Sequence, residues 1–196
     1  MRTGLIIFIK NPIIGKVKTR LAKTLGDEKA LAIYQQLLLH TLLITKNIDC
    51  DKFVYYSDHI DRYDIWDEAG FNKKLQSGGN LGVRMSGAFM ELFNAGYDQL
   101  IIIGSDCLEL SELDILHAFE ELDDQDVVIG PSSDGGYYLL GMKAFLPTLF
   151  INKDWSTSTV LKDTLYDLNE LNKTFSKLNT LNDIDEEKDL PLLFQY

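Results

Sequence analysis

The sequence predicts an α/β fold organised around a buried central strand. The run at residues 100–103 is apolar, rich in branched side chains and ended by Gly104, which is typical of a strand covered on both faces of a sheet. A similar run lies at residues 5–9, and segments with helical spacing of apolar residues lie between such runs. In open α/β sheets, ligands bind beyond the carboxyl ends of the strands, so the turns that follow these runs are the predicted functional positions.

The remaining elements follow from apolar spacing and from turn residues. Strands are predicted at residues 5–9, 53–57, 100–103 and 126–130, with shorter strands ending near residue 76 and starting near residue 137. Helices are predicted at residues 27–47, 82–94, 111–122 and from about 158 to 171. Ser111 and Asp114 have the spacing of a capping pair, and Ser156 or Ser158 is expected to cap the last helix. The helix over 111–122 is predicted to bury Leu113, Leu116 and Phe119.

Composition narrows the classes of protein to consider. The chain has 196 residues, a net charge of −11 and a pI near 4.6, which argues against a nucleic-acid-binding surface. Cys50 and Cys107 are too few for a disulfide framework, so a reducing compartment is expected, and Cys107 is interpreted as a packing residue. No signal peptide and no apolar run of membrane-spanning length is present. We therefore expect one cytoplasmic domain over residues 1–196 that does not bind membranes.

The turn after the central strand carries the first candidate site residue, Asp106. A carboxylate at this position can hold a hard cation such as Mg²⁺ that bridges phosphate oxygens. The alternative is structural, because an aspartate here can also cap a turn or the helix that starts near Ser111.

A basic loop follows the first strand. Four cations fall within residues 10–20 of an otherwise acidic chain, and cations in a loop that leads to a helix are well placed to hold phosphates. The loop has neither Walker A spacing nor a Rossmann glycine fingerprint. The alternative is a solvated basic turn. The cations are Lys10, Lys16, Lys18 and Arg20.

Two further segments combine glycines with polar side chains. Glycines at 78, 79 and 82 permit a close approach of backbone to a ligand, Gln76 has an amide that can bind a base or ribose, and Arg84 in the first turn of a helix hints at an anionic partner. Asp134 lies at the tip of a glycine turn and suits contact with an acceptor or a metal. Ordinary turn formation explains both segments equally well. The acidic tail at residues 182–190 is either a charged helix start or a second source of metal ligands, Asp183 or Asp185.

Five ordered motifs resemble a known family over nearly the whole chain. They are Lys10-x-Pro12-x-x-Gly15-x-x-Lys18-Thr19-Arg20-Leu21, Gln76-x-Gly78-Gly79-Asn80-Leu81-Gly82-x-Arg84-Met85, Gly104-Ser105-Asp106-Cys107, Gly130-Pro131-x-x-Asp134-Gly135-Gly136-Tyr137-Tyr138-x-x-Gly141 and Trp155-Ser156-Thr157. The pattern resembles the rSAM/selenodomain-associated transferases, a glycosyltransferase-A-like family. This resemblance implies the nucleotide-diphospho-sugar transferase fold, a three-layer α/β/α sandwich on a mostly parallel sheet, with a more distant similarity to guanylyltransferases.

The resemblance also implies roles for individual residues. It assigns nucleotide phosphates to Lys10, Lys18 and Arg20, the base to Gln76 and Gly79, metal to Asp106, and the acceptor side to Asp134 and Tyr137. Gly15 and Arg84 are also expected to bind the nucleotide, and Asp185 of the tail is expected to be the second metal ligand. Asp106 and Asp134 are thus the expected catalytic residues, with Mg²⁺ or Mn²⁺ as cofactor. The chain departs from the family at three places: Gly104 replaces the first aspartate of an Asp-x-Asp pair, Leu108 replaces a proline, and Glu186-Glu187 replaces Thr-Pro in the tail.

The expected function is transfer from a nucleotide substrate to a small-molecule acceptor. Glycosyl transfer from a nucleotide-diphospho-sugar is placed first, and nucleotidyl transfer with release of pyrophosphate is the alternative. A non-catalytic nucleotide-binding module is the third possibility. The sequence encodes neither the base, the sugar and the acceptor nor the oligomeric state.

Overall fold

The computed structural model of the chain describes residues 1–67 and 70–191 and contains one seven-stranded sheet. Glu68, Ala69 and residues 192–196, which belong to the predicted domain, lie outside the described residues. The strands are β1 (Thr3–Ile9), β2 (Asp51–Tyr56), β3 (Asn72–Leu75), β4 (Gln99–Ile103), β5 (Val127–Pro131), β6 (Tyr137–Met142) and β7 (Phe175–Lys177). The helices are α1 (Thr19–Leu25), α2 (Asp27–Thr45), α3 (Leu81–Asn94), α4 (Glu112–Asp124) and α5 (Val160–Glu170), with short 3₁₀ helices at Pro147–Phe150 and Glu187–Asp189.

The sheet is mostly parallel, as expected. Its strand order is β3-β2-β1-β4-β6-β5-β7. The first four strands run parallel to one another, β6 runs antiparallel to both of its neighbours, and β7 pairs in parallel with β5. All strands except β6 therefore point their carboxyl ends toward one edge of the sheet.

The two faces of the sheet are both covered by helices. Along β1, Leu5 and Ile7 belong to one apolar cluster and Ile6 to the other, as the alternation of side chains in a strand requires. The first cluster contains the buried side chains of α1, α2 and α4, and the second those of α3 and α5. The three-layer α/β/α sandwich is thus confirmed.

Two predictions about helices were wrong in detail. Helix α4 has the expected capping box of Ser111 and Asp114, but Leu113 is 75% exposed. The helix packs Ile115, Ala118 and Leu122 on the sheet instead, because its apolar residues form two overlapping faces and the other face contacts the core. Helix α5 begins at Val160 after Thr159, without a side-chain cap from either predicted serine.

Elements that the sequence did not predict change the surroundings of the site. Arg20 lies in α1 and not in the loop before it, and β7 extends the sheet beyond β5. After β7 the chain continues beside β5, where Leu178 N–H donates to Ile129 O at 2.8 Å and Leu181 N–H donates to Pro131 O at 3.1 Å. The acidic tail is thereby brought to the carboxyl edge of the sheet. No helix in the described part of the chain is long and apolar enough to cross a lipid bilayer.

Candidate active site

A cavity of about 500 Å³ opens at the carboxyl edge of the sheet. Its walls come from segments that follow β1, β3, β4 and β5, from the loop before α5 and from the acidic tail. Of the predicted site residues, Gly15 and Gly79 do not line it. Those that do are Lys10, Lys18, Arg20, Gln76, Arg84, Asp106, Asp134 and Asp185. Parallel topology therefore brings most of the predicted residues together.

The tail supplies carboxylates to the wall formed by Asp106. Ile184 N–H donates to Asp106 O at 2.9 Å, and Leu181 forms a parallel bridge with Ser132. These backbone contacts hold Asp183 and Asp185, on either side of Ile184, next to the turn after β4. The cavity thus has a wall with several carboxylates.

Burial and neighbouring charge alter the acidity of one of these carboxylates. Burial, followed by the negative charges of Asp106 and Asp134, raises the pKa of Asp183 to about 7. The direction of the shift is the one expected for a carboxylate that is buried and lies near other carboxylates. Lys18 opposes the shift without cancelling it.

Lys18 and Arg20 contact carboxylates, whereas the resemblance assigned them to phosphates. Lys18 Nζ lies 3.1 Å from Asp106 Oδ1 and 3.5 Å from Asp185 Oδ1, and its side chain is only 4% exposed. Arg20 Nη1 lies 3.3 Å from Asp185 Oδ2, and its side chain is 66% exposed. Both cations therefore balance the charge of the acidic wall.

Two further cations, Lys10 and Arg84, line the cavity. Arg84 Nη1 donates to Gln76 Oε1 at 3.1 Å, while its buried Nε has no hydrogen-bond partner. Lys10 is exposed, and no ion pair joins its ammonium to the described residues. These two cations are available to an anionic ligand.

The side-chain amide of Gln76, which the resemblance assigned to the base, is engaged in protein contacts. Its Nε2 donates to Ile9 O at 3.0 Å and to Tyr55 O at 2.9 Å, and its Oε1 accepts the bond from Arg84. Gln76 is buried, with 8% of its surface exposed. It joins the ends of β1 and β2 and orients Arg84.

Asp134 is held in one orientation by its own turn. Its Oδ1 accepts hydrogen bonds from Ser132 Oγ and from Gly136 N–H, the latter at 2.9 Å. Both contacts use the same carboxylate oxygen, which leaves Oδ2 for a ligand. A fixed carboxylate with one free oxygen suits the role of a general base.

Tyr34 in α2 also shapes the site, although nothing in its sequence context indicates this. Its hydroxyl accepts a hydrogen bond from Lys10 N–H at 2.8 Å, donates to Lys10 O at 3.1 Å and lies 3.2 Å from Ser105 Oγ. Burial, together with the charge of Asp106, raises the pKa of Tyr34. The hydroxyl therefore stays protonated and ties the first loop to the turn that carries Asp106. In sequence, Tyr34 is indistinguishable from an ordinary core residue of an amphipathic helix.

Trp155 forms an aromatic wall of the cavity. Its ring is nearly parallel to that of Phe150, at 14° and 6.4 Å between centroids, and meets the ring of Tyr137 edge-on at 6.5 Å. The hydroxyl of Tyr137 is buried beside Thr164. Tyr137 lines the cavity, and its place on the acceptor side stays a prediction. The indole also approaches Gly82 so closely that a Cβ there would lie 2.2 Å from Trp155 Nε1.

The acidic wall fits a divalent cation by its donor chemistry. Carboxylate oxygens are the ligands that Mg²⁺ and Mn²⁺ prefer, and Asp106, Asp183 and Asp185 supply them. Within residues 1–67 and 70–191, however, no three histidine, cysteine or carboxylate side chains are gathered closely enough to hold a metal ion. The ammonium of Lys18 stands between two of the candidate ligands.

Cys107 is a packing residue, as the sequence predicts. It is 5% exposed, and burial together with the charge of Asp183 raises the pKa of its thiol to about 12. A thiol with that pKa stays protonated at neutral pH and is a poor nucleophile.

Comparison with solved structures supports the fold. The chain is 29% identical to a protein of Desulfovibrio desulfuricans G20 provisionally described as a nucleotide-diphospho-sugar transferase, with a TM-score of 0.87 over 95% of this chain and 84% of that one. It also resembles the inositol-1-phosphate CTP transferase of T. maritima, at 14% identity and a TM-score of 0.56 over 100% and 94% of the two chains. Both of these relatives are, by name, transferases of nucleotide substrates.

A third similar structure was solved with a metal. It is Rv0371c of Mycobacterium tuberculosis H37Rv in complex with manganese, at 10% identity and a TM-score of 0.56 over 95% and 94% of the two chains. At this identity the likeness concerns the fold alone. No curated protein matches the chain.

The family assignment rests on a match to a sequence model. The nucleotide-diphospho-sugar transferase superfamily is supported by the Desulfovibrio structure, whereas the association with rSAM or selenodomain proteins stays a prediction. Residues 41–157, more than half of the chain, match the family described as "Uncharacterized protein conserved in bacteria (DUF2064)", and the chain therefore belongs to that family.

Proposed function

We propose that this protein is a metal-dependent glycosyltransferase that uses a nucleotide-diphospho-sugar as donor and a small molecule as acceptor. One observation carries the proposal. A single cavity is lined both by carboxylates, from Asp106 and the tail, and by two available cations, Lys10 and Arg84. A diphosphate bound in this cavity can share a metal with the carboxylates and accept hydrogen bonds from the cations.

The residues of the chain would divide the reaction between them. Asp106, with Asp185, would hold Mg²⁺ or Mn²⁺, whose chemistry is to neutralise the charge that develops on the departing diphosphate. Lys10 and Arg84 would bind the diphosphate oxygens through charge-assisted hydrogen bonds. Gln76 fixes the orientation of Arg84 and does not read the base.

Asp134 would act on the acceptor. As the acceptor hydroxyl attacks the anomeric carbon, its proton passes to Asp134 Oδ2, a new C–O bond forms, and the bond from the sugar to the diphosphate breaks. The products are a glycosylated acceptor and a nucleoside diphosphate. The proposed base is already oriented by Ser132 and Gly136.

One feature favours nucleotidyl transfer as the second candidate. Gly104 stands where many glycosyltransferases have the first aspartate of an Asp-x-Asp pair, and the additional carboxylates come from the tail. In that reaction a phosphorylated acceptor would attack the α-phosphate of a nucleoside triphosphate, and pyrophosphate would leave.

A ligand panel separates these reactions. We expect nucleotide-sugars to raise the midpoint of thermal unfolding when Mg²⁺ is present, because a ligand that binds only the folded state stabilises it. Stabilisation by a triphosphate alone would favour nucleotidyl transfer. If no member of the panel shifts the midpoint with or without Mg²⁺, the proposal is wrong.

A variant separates both reactions from a non-catalytic module. Asp134→Asn should keep ligand-induced stabilisation and abolish turnover, measured as acceptor-dependent release of nucleoside diphosphate or pyrophosphate. Asp124→Asn, at the exposed end of α4, is the matched control. Equal turnover in the two variants would exclude Asp134 as the base.

The cellular compartment and the domain organisation are also proposals. We propose one domain over residues 1–196 in the cytoplasm, where Cys50 and Cys107 would stay free thiols. Fractionation of cells that carry a tagged full-length chain tests the compartment, and limited proteolysis tests the domain.

A further inference from the structure

Lys18 is the most enclosed cation of the cavity wall. Its side chain is 4% exposed, and its ammonium lies within ion-pair distance of Asp106 and Asp185. Its backbone has φ 46° and ψ 44°, a left-handed conformation that costs a residue with a Cβ about 1 kcal/mol or more. The surrounding structure therefore holds Lys18 at this position against a local preference.

The ammonium is close to the carboxylates, but its hydrogen bonding is incomplete. Although Nζ is 3.1 Å from Asp106 Oδ1, it is buried and makes no hydrogen bond of acceptable geometry with any described residue. A buried ammonium without such bonds bears a desolvation cost that a ligand can relieve. Lys18 lines the cavity, so its donors are within reach of a bound molecule.

The position of this ammonium conflicts with metal binding. The oxygens nearest Nζ, Asp106 Oδ1 and Asp185 Oδ1, belong to the side chains that would hold the metal. Two cations on the same oxygens would repel each other strongly in a partly buried site. A metal can therefore take these two oxygens only if the ammonium leaves them.

We propose that Lys18 is a tethered cation that exchanges with the metal: it neutralises Asp106 and Asp185 in the free protein and moves to the nucleotide phosphate when the metal binds. The inference rests on the proposed function, since it takes a diphosphate as the second ligand. The long flexible stem of lysine permits the movement without a change of fold. Arg20, which contacts Asp185 from the exposed side, is not required to move.

The exchange predicts coupling between the two ligands. The metal must first displace the ammonium of Lys18 from the carboxylates, and this cost weakens metal binding when no phosphate is present. The diphosphate gains the ammonium as a donor only after that displacement. Coupling between sites is reciprocal, so each ligand should raise the affinity of the other, and Lys18 should contribute on the order of 10-fold to that factor.

Calorimetry with two variants tests this coupling. We would titrate Mn²⁺, and separately the diphosphate analogue methylenediphosphonate with and without Mn²⁺, into wild type, Lys18→Met and Lys10→Met. Lys18→Met should bind Mn²⁺ alone about 10-fold more tightly than wild type and lose about 10-fold of the mutual enhancement. Lys10→Met removes a cation of the same loop that has no ion pair, so it should weaken the analogue equally with and without Mn²⁺.

The outcomes separate the exchange from its rivals. If Lys18→Met leaves Mn²⁺ affinity unchanged and weakens the analogue like Lys10→Met does, Lys18 is an ordinary phosphate ligand and the exchange is refuted. If Lys18→Met weakens Mn²⁺ binding, Lys18 positions the carboxylates and the exchange is again refuted. If the wild-type protein does not bind methylenediphosphonate even with Mn²⁺, both the exchange and the proposed function are refuted.

Wild-type protein gives a test that does not depend on whether a variant folds. Acetylation by acetic anhydride, followed by mass spectrometry of each lysine, reports the accessibility of the amine. Labelling of Lys18 should be slow in the free protein, faster with Mg²⁺ alone, and slow again with Mg²⁺ and methylenediphosphonate. If Mg²⁺ does not change the labelling of Lys18, the exchange is overturned. A ligand-dependent change in labelling at Lys10 alone would still support phosphate binding.

Discussion

Gly82→Ala tests whether the aromatic wall of the cavity is as tightly packed as the structure indicates. Gly82 lies in the first turn of α3 and is buried. A Cβ at this position would lie 2.2 Å from Trp155 Nε1 and 2.3 Å from Cε2. Either the indole or the start of α3 must therefore move.

Two effects of opposite sign decide the outcome. Alanine is a better helix former than glycine by about 1 kcal/mol, so propensity alone predicts that the variant is more stable. Forcing an extra methyl group into a packed site costs about 1–3 kcal/mol, and the atoms in the way belong to a rigid ring packed on Phe150. We expect the clash to win and the free energy of unfolding to fall by about 1–2 kcal/mol.

Urea denaturation, followed by fluorescence, measures this change. The chain has two tryptophans, Trp66 and Trp155, and the emission of Trp155 should also change in the folded variant. Gly78→Ala is the matched control, because nothing lies within 4 Å of its Cβ position and its φ is not in the left-handed region.

A double-mutant cycle identifies the cause. In a Trp155→Leu background the obstructing indole is absent, so Gly82→Ala should cost less there, with a coupling of about 1 kcal/mol or more. An alanine variant as stable as wild type, with unchanged tryptophan emission, would show that the close approach of Trp155 to α3 is incorrect.

Three further predictions concern the residues around the cavity. Gln76→Leu should lower the affinity for all nucleotides alike in binding assays, since Gln76 orients Arg84; a selective loss for one base would restore the base-reading role. Asn11→Ala should lower the free energy of unfolding in urea by about 1–3 kcal/mol, because the buried Asn11 amide donates to His59 O at 2.8 Å; a loss below 0.5 kcal/mol would contradict this. The raised pKa of Asp183 gives stability that is present below its unfolded value of 3.8 and lost as pH rises to about 7. With EDTA present, the Asp183→Asn variant should therefore be more stable than wild type by roughly 1–2 kcal/mol at pH 8, but not at pH 4. If the stability of the two proteins depends on pH in the same way, this prediction is refuted.

The position of the site could be predicted because it follows from strand direction. Lys10 follows β1, Asp106 follows β4 and Asp134 follows β5, and parallel strands bring their carboxyl ends to one edge of a sheet. Each of these residues could be found from a short apolar run and the turn after it. The capping box of Ser111 and Asp114 was also predictable, because its two partners are only three residues apart in sequence.

The features that could not be predicted depend on which surfaces meet. Helix α4 offers two overlapping apolar faces, and only its placement on the sheet decides that Ile115 is buried and Leu113 exposed. Gln76 was assigned to a ligand because an amide near glycines suits that role. The carbonyls of Ile9 and Tyr55, which occupy it, are invisible in a pattern of side chains.

Lys18 shows why charges in a site must be considered as a set. The sequence places its ammonium in a basic loop, but the two carboxylates that it contacts come from the turn after β4 and from the tail. Because Lys18 and Arg20 are paired with these carboxylates, the free protein offers a phosphate little more than Lys10 and Arg84. A metal that neutralised the acidic wall would release Lys18. Phosphate affinity in this cavity should therefore depend on the metal even at oxygens that the metal does not touch.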